Sequence, residues 1–209
     1  MEVYQTEEQQ VEAIKRFWSE NGNSIIAGLV IGLGGFIGFN YYQDNKIAQQ
    51  EAIASEYMTL LEVNEKSPEQ FIQQGETFVN KYGDSSYAAL TALSMAKNTA
   101  DKQDWAKTAQ YLQLAVDKAP HSGIKAIATI RLARAQAQQA QYDKALVTLS
   151  QPLPESFIAS AEEAKGDIYI LQDKRDLARN AYQVAISADG LKSSPALQMK
   201  IDDLAVALD

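Results

Sequence analysis

Gly166 to Ala185 reads GDIYILQDKRDLARNAYQVA, and the spacing inside this stretch decides the fold. Gly166 and Tyr169 stand on one side of a polar run at Lys174-Arg175-Asp176, and Ala178, Tyr182 and Ala185 stand on the other. Residues three and four apart share a helix face, so the stretch reads as two helices joined by a short turn. A small–large–small stripe lets antiparallel helices approach closely while one bulky side chain fills the gap between pairs. Working outward, the same frame recurs at Asp104-Trp105-Ala106-Lys107-Thr108 and at Gln141-Tyr142-Asp143-Lys144-Ala145. Thr108 to Ala145 is 37 residues and Ala145 to Ala178 is 33. Leu112, Leu149 and Tyr182 each follow the small residue by four positions, and Ala115 and Ala185 come three later in the first and third units.

Those spacings bracket the 34 residues of a tetratricopeptide repeat. The first unit keeps Ala96 where the third has Gly166 and ends at Pro120, whereas the second degenerates at Gln151-Pro152. The remainder of the C-terminal region agrees. Proline and glycine are sparse there, and apolar residues recur at helical spacing, as in Tyr57, Leu60 and Leu61 or Ile127, Ile130, Ala133 and Ala137. Period-two alternation of β-branched residues is absent. The expected fold is all-α, with a tetratricopeptide-like α-solenoid over residues 67–209 and a capping helix at Pro195 to Leu208.

Upstream, Asn21 to Gln43 carries no charge, and its apolar heart, Ser24 to Tyr42, is 19 residues long. As a helix that heart spans roughly 28 Å, which matches a bilayer core of about 30 Å. Trp18 before it and Tyr41 and Tyr42 at its end place amphipathic rings where the two headgroup layers would lie. A cleaved signal peptide fits less well. The preceding 23 residues are net acidic, and the small-x-small triplet Ala52-Ile53-Ala54 lies well beyond the core. Residues 24–42 therefore read as a single transmembrane helix. Lys15 and Arg16 on one side against Lys46 on the other orient it with the tail, residues 1–23, in the cytoplasm. Residues 43–66 then read as a helical stalk that supplies the first helix of the outer domain, and 67–209 as periplasmic in a bacterial inner membrane. Within the span, Gly28, Gly32 and Gly35 fall on one face, suited to packing against a partner helix. In the tail, Val11, Ile14, Phe17 and Trp18 line one side of a helix opposite Glu12, Lys15 and Arg16.

Composition narrows the function. Residues 47–209 hold 16 Lys plus Arg against 21 Asp plus Glu, a net charge of −5, and residues 1–23 hold two against five, a net of −3. Such acidity disfavours nucleic acid as a partner. There is no cysteine, and the sole histidine, His121, sits in an Ala-Pro-His-Ser-Gly turn without a neighbouring nucleophile or metal-ligand partner. Glu162-Glu163 and Asp202-Asp203 are adjacent pairs, which on a helix point about 100° apart rather than converging as an acid–base dyad. The sequence therefore nominates no catalytic residue, metal ligand or cofactor site.

The order of parts, with Val11-Glu12-Ala13-Ile14-Lys15-Arg16-Phe17-Trp18-Ser19-Glu20-Asn21-Gly22 before a glycine-rich span, resembles the YfgM family of ancillary Sec translocon subunits over essentially the whole chain. Tyr87-Ala88-Ala89-Leu90 and Leu132-Ala133-Arg134 are supporting matches. The resemblance implies a non-enzymatic inner-membrane protein with a periplasmic repeat domain. It also implies association with SecYEG and with a membrane-anchored periplasmic prolyl-isomerase-type chaperone, a role in handling newly exported chains, and restraint of a stress-response regulator through the tail. In repeat arrays of this kind the first helix of each unit lines the concave face. That frame nominates Leu93, Lys97, Ile130, Arg134, Glu163 and Asp167 as a partner groove.

Overall fold

The computed structural model describes residues 7–83 and 85–206, and divides into two units, Met1–Ala52 and Ile53–Asp209. Among the described residues every regular element is helical. Helix α1, Glu7–Lys66, is continuous and contributes to both units. Its uninterrupted course follows from the lack of any proline before Pro68, and it ends at Ser67, whose hydroxyl accepts the backbone N–H of Gln70 and so caps α2.

The second unit begins at Ile53. The last turns of α1 pack with α2, Pro68–Lys81, and with the start of the helix after it: the Tyr57 ring lies 6.2 Å from Phe78 of α2 and 5.0 Å from Tyr87, and Leu60 is buried with Phe71 and Phe78. Three hairpins follow. They are α3 and α4, Ser86–Asp101 and Trp105–Lys118; α5 and α6, Ser122–Gln138 and Tyr142–Leu149; and α7 and α8, Ile158–Leu171 and Arg175–Ser187. The short α6 stops ahead of Gln151-Pro152, where the sequence frame degenerates, and a 3₁₀ turn at Glu155–Phe157 leads into α7. A single turn, α9, at Gly190–Ser193 precedes α10, Ala196–Val206. Helix α10 occupies the expected capping position against α8, while Leu208 of the anticipated cap lies outside the described residues.

Each hairpin closes through the same backbone device. Gln103, Ala140 and Asp173 all adopt left-handed φ, between 56° and 58°. In each turn the next residue's N–H reaches back five positions, from Asp104 to Thr99, Gln141 to Gln136 and Lys174 to Tyr169, at 2.9–3.0 Å. The left-handed residue bonds three back, to Ala100, Ala137 and Ile170. This pair of bonds is a Schellman motif, which satisfies helix-end carbonyls that would otherwise be buried without partners. One side-chain bond then ties each hairpin across: Thr99 to Thr108 at 3.0 Å, Thr148 to Gln136 at 2.8 Å, and Tyr182 to Asp167 at 2.8 Å.

The small–large–small stripe is the seam of the core. Thr108, Leu112 and Ala115, then Ala145 and Leu149, then Ala178, Tyr182 and Ala185 are all buried. Burying each leucine in this way stabilises the fold by about 1.5–3 kcal/mol. Gly166 faces the ring of Tyr182 so closely that a Cβ would collide with it. The glycine therefore lets the tyrosine plug the gap between α7 and α8.

Candidate interaction surfaces

Two surfaces answer to the residues nominated by sequence. The first belongs to the unit Met1–Ala52. Its helix is long and apolar enough to cross a membrane. The apolar side chains point outward around the whole circumference, with Ile31 75% and Phe36 62% exposed. A contiguous apolar surface of this kind demands a lipid or protein environment. Gly28, Gly32 and Gly35 lie on this stretch with open space where a Cβ would stand, so a second helix could approach the backbone there. Val11, Ile14, Phe17 and Trp18 are likewise exposed.

The second surface is formed by the first helices of the repeats. Leu93 and Lys97 on α3 meet Arg134 on α5 in one depression of about 370 Å³. Its floor is made of Ala96, Ala100 and Ala135, whose small side chains leave the space, and Trp105 and Leu112 of α4 close one side. Arg131 also lines it, one helical turn before Arg134. Sequence reasoning missed Arg131 and Trp105, although the i, i+3 spacing of the two arginines was a usable signal. Lys97 is paired with Asp101 at 3.0 Å.

The other nominated residues sit differently. Ile130 is only 5% exposed and packs in the core of the α5–α6–α7 region. Glu163, 8% exposed, accepts from Lys200 at 2.7 Å and from Ser194 at 3.0 Å. Asp167 accepts from Lys200 at 2.6 Å and from the Tyr182 hydroxyl at 2.8 Å. Both carboxylates thus hold the C-terminal cap, and Asp167 also lines a second depression of about 480 Å³ with Tyr182, Lys200 and Arg175. Gln138 lines both depressions, which makes them neighbours along one face. Burial by itself would lower the Lys200 pKa, but its hydrogen bonds to Asp167 and Glu163 outweigh that and hold it above the usual lysine range. Burial and donation to Asp167 push the Tyr182 phenol up strongly. The cap is fixed at its other end by Arg179, which donates to the Leu204 carbonyl at 2.9 Å, and by Arg175, which donates to that of Asp203 at 3.3 Å. Cations at a helix C-terminus are favourable there.

Comparison with known proteins places this architecture. The family described as tetratricopeptide repeat-like domain matches residues 15–206. The ancillary SecYEG translocon subunit of Escherichia coli strain K12 is 30% identical over 207 residues, covering 99% of this chain and 100% of that one. Proteins of the same name from Haemophilus influenzae and Neisseria gonorrhoeae are each 29% identical, over 95% and 98% of this chain and 97% and 100% of their own lengths. No solved structure matches the chain. With the family match and a near full-length relative agreeing, the chain belongs to the family of ancillary SecYEG translocon subunits, the YfgM family, with a tetratricopeptide repeat-like domain.

Proposed function

We propose that this protein is a non-enzymatic adaptor held at the Sec translocation channel by its N-terminal helix. Its tail lies in the cytoplasm and its repeat domain in the periplasm. There the domain links the channel to a membrane-anchored periplasmic prolyl-isomerase-type chaperone and to newly exported proteins. The observation that carries this reading is the near end-to-end similarity to proteins named ancillary SecYEG translocon subunits. The exposed apolar stretch of α1 supports it by supplying a segment that requires lipid or a partner helix, and the α3–α5 depression supports it by supplying a peptide-sized recess. Purification of the tagged full-length protein from mildly crosslinked membranes should recover channel subunits and the chaperone. Recovery of neither would overturn the reading.

A second role is favoured by the uncovered Val11, Ile14, Phe17 and Trp18 face, which suits a cytoplasmic partner such as a stress-response regulator. Deleting residues 2–20 should release such a regulator and leave channel association intact. If regulator and channel are lost together, or neither changes, the tail has no separate role.

A further inference from the structure

The depression between α3, α4 and α5 combines a basic lining with a floor of alanines. Its lining contains Lys97, Arg131 and Arg134 and no carboxylate. Lys97 is answered by Asp101 just outside the lining. Arg131 and Arg134 are exposed, and among the described residues neither has an ion-pair or hydrogen-bond partner. Elsewhere some surface cations are paired, as Lys81 is with Glu56, Lys102 with Glu69 and Arg179 with Asp176. Two unanswered guanidinium groups therefore stand one helical turn apart over an alanine floor, beside a half-buried indole at Trp105.

Guanidinium presents a planar fork of donors that matches a carboxylate in two-point geometry, and it is less strongly hydrated than an ammonium group. The alanine floor and Trp105 offer apolar contact at the same place. We propose that this depression is a docking site for an acidic peptide segment, one that carries carboxylate side chains next to an apolar or aromatic residue. The carboxylates engage Arg131 and Arg134, and the apolar side chain rests against Trp105 and Leu93. Charge complementarity selects this occupant: on a chain of net charge −8, the lining here carries three cations and no carboxylate. This inference rests on the adaptor reading, of which it specifies the partner's chemistry.

The test uses the full-length protein in nanodiscs of neutral lipid and a short fluorescein-labelled peptide alternating Glu with Phe and Leu, read by anisotropy. Binding is expected to weaken with added salt, to fail for the Gln-for-Glu peptide, and to drop about tenfold for each of Arg131→Gln and Arg134→Gln. The double charge reversal R131E/R134E should lose the acidic peptide and gain its Lys-for-Glu counterpart, a gain that misfolding could not produce. Equal binding of the Gln-for-Glu peptide, or unchanged binding by both Gln variants, would overturn the proposal. So would binding of anionic-lipid vesicles that depends on both arginines while the peptide is indifferent to them. Loss of channel recovery by the parent protein strikes the adaptor reading alone, since the anisotropy arm is decided without the channel.

Discussion

Replacing Gly166 with alanine separates helix propensity from tertiary packing by the sign of its effect. Gly166 lies within α7, where alanine is intrinsically favoured by about 0.8–1.0 kcal/mol. If local preference governed, G166A would stabilise. The structure argues the reverse, because the new Cβ would overlap Cδ1 and Cε1 of Tyr182. Tyr182 is 2% exposed, belongs to the same cluster as Ala178 and Ala185, and donates to Asp167 at 2.8 Å, so its ring has no free direction in which to retreat. Expelling the ring forfeits about 1.5–3 kcal/mol of burial. It also forfeits the hydrogen bond to a carboxylate, worth about 1.5–3 kcal/mol. Partial relaxation by separation of α7 and α8 caps the cost near the overpacking range of about 1–3 kcal/mol or somewhat above. Set against the propensity gain, a net destabilisation of about 2 kcal/mol is expected, which lowers Tm by roughly 4–8 °C for a chain of this size. Urea and thermal unfolding of the full-length protein in detergent, followed by far-UV circular dichroism, measure it. The control is Gly123 in α5, whose added Cβ would meet only the Phe157 ring at 3.9–4.0 Å, an ordinary contact, so that G123A should be neutral or mildly stabilising. In addition, the ring-free background Y182A should abolish the penalty of G166A, since the two changes share one contact. A G166A protein as stable as the parent or more so would refute the argument that Tyr182 fills the gap left by this glycine.

Three further outcomes follow from the same geometry. Ala140 holds a left-handed φ of 56° that costs a non-glycine residue about 1–2 kcal/mol, so A140G should raise stability by about 0.5–1 kcal/mol after the added unfolded-chain entropy, measured by the urea midpoint. Burial and donation to Glu76 push the Tyr111 phenol up to about 12, and the Tyr182 phenol and Lys200 are also raised in the fold. The unfolded chain then releases these protons first, so their stabilising contribution is intact below about pH 10 and is lost as pH climbs towards about 12. Urea midpoints across that range should fall, and more shallowly for Y182F. Finally, leucine at Gly28, Gly32 and Gly35 should retain the protein in the membrane yet reduce crosslinking to channel subunits, because open space above those Cα atoms would be filled. Unchanged crosslinking would leave the segment as a tether.

Much of the fold was legible because its cause is local. The 37- and 33-residue intervals between Thr108, Ala145 and Ala178 reappear in the spacing of the left-handed residues Gln103, Ala140 and Asp173. One hairpin geometry repeated in register imposes both. The left-handed turns themselves were not legible. Their usual marker is glycine, and here glutamine, alanine and aspartate occupy those positions. The groove was legible in part: Leu93, Lys97 and Arg134 share a depression, as helical register on α3 and α5 allows. Trp105 escaped notice because it enters that depression from the second helix of its hairpin.

By itself, the sequence determined the helices, their pairing, the repeat interval and an apolar segment fit for a bilayer, all of which depend on residues within a turn or two of one another. Only the tertiary structure decided how two similar acidic positions would be used. Glu163 and Asp167 meet Lys200 from 37 and 33 residues away, and a side chain's long-range partner is set by how α10 closes the array rather than by local pattern. Arg131 and Arg134 on α5 meet no such partner among the described residues. No carboxylate stands among the residues lining their depression, so the pair is left to solvent or to a partner of opposite charge.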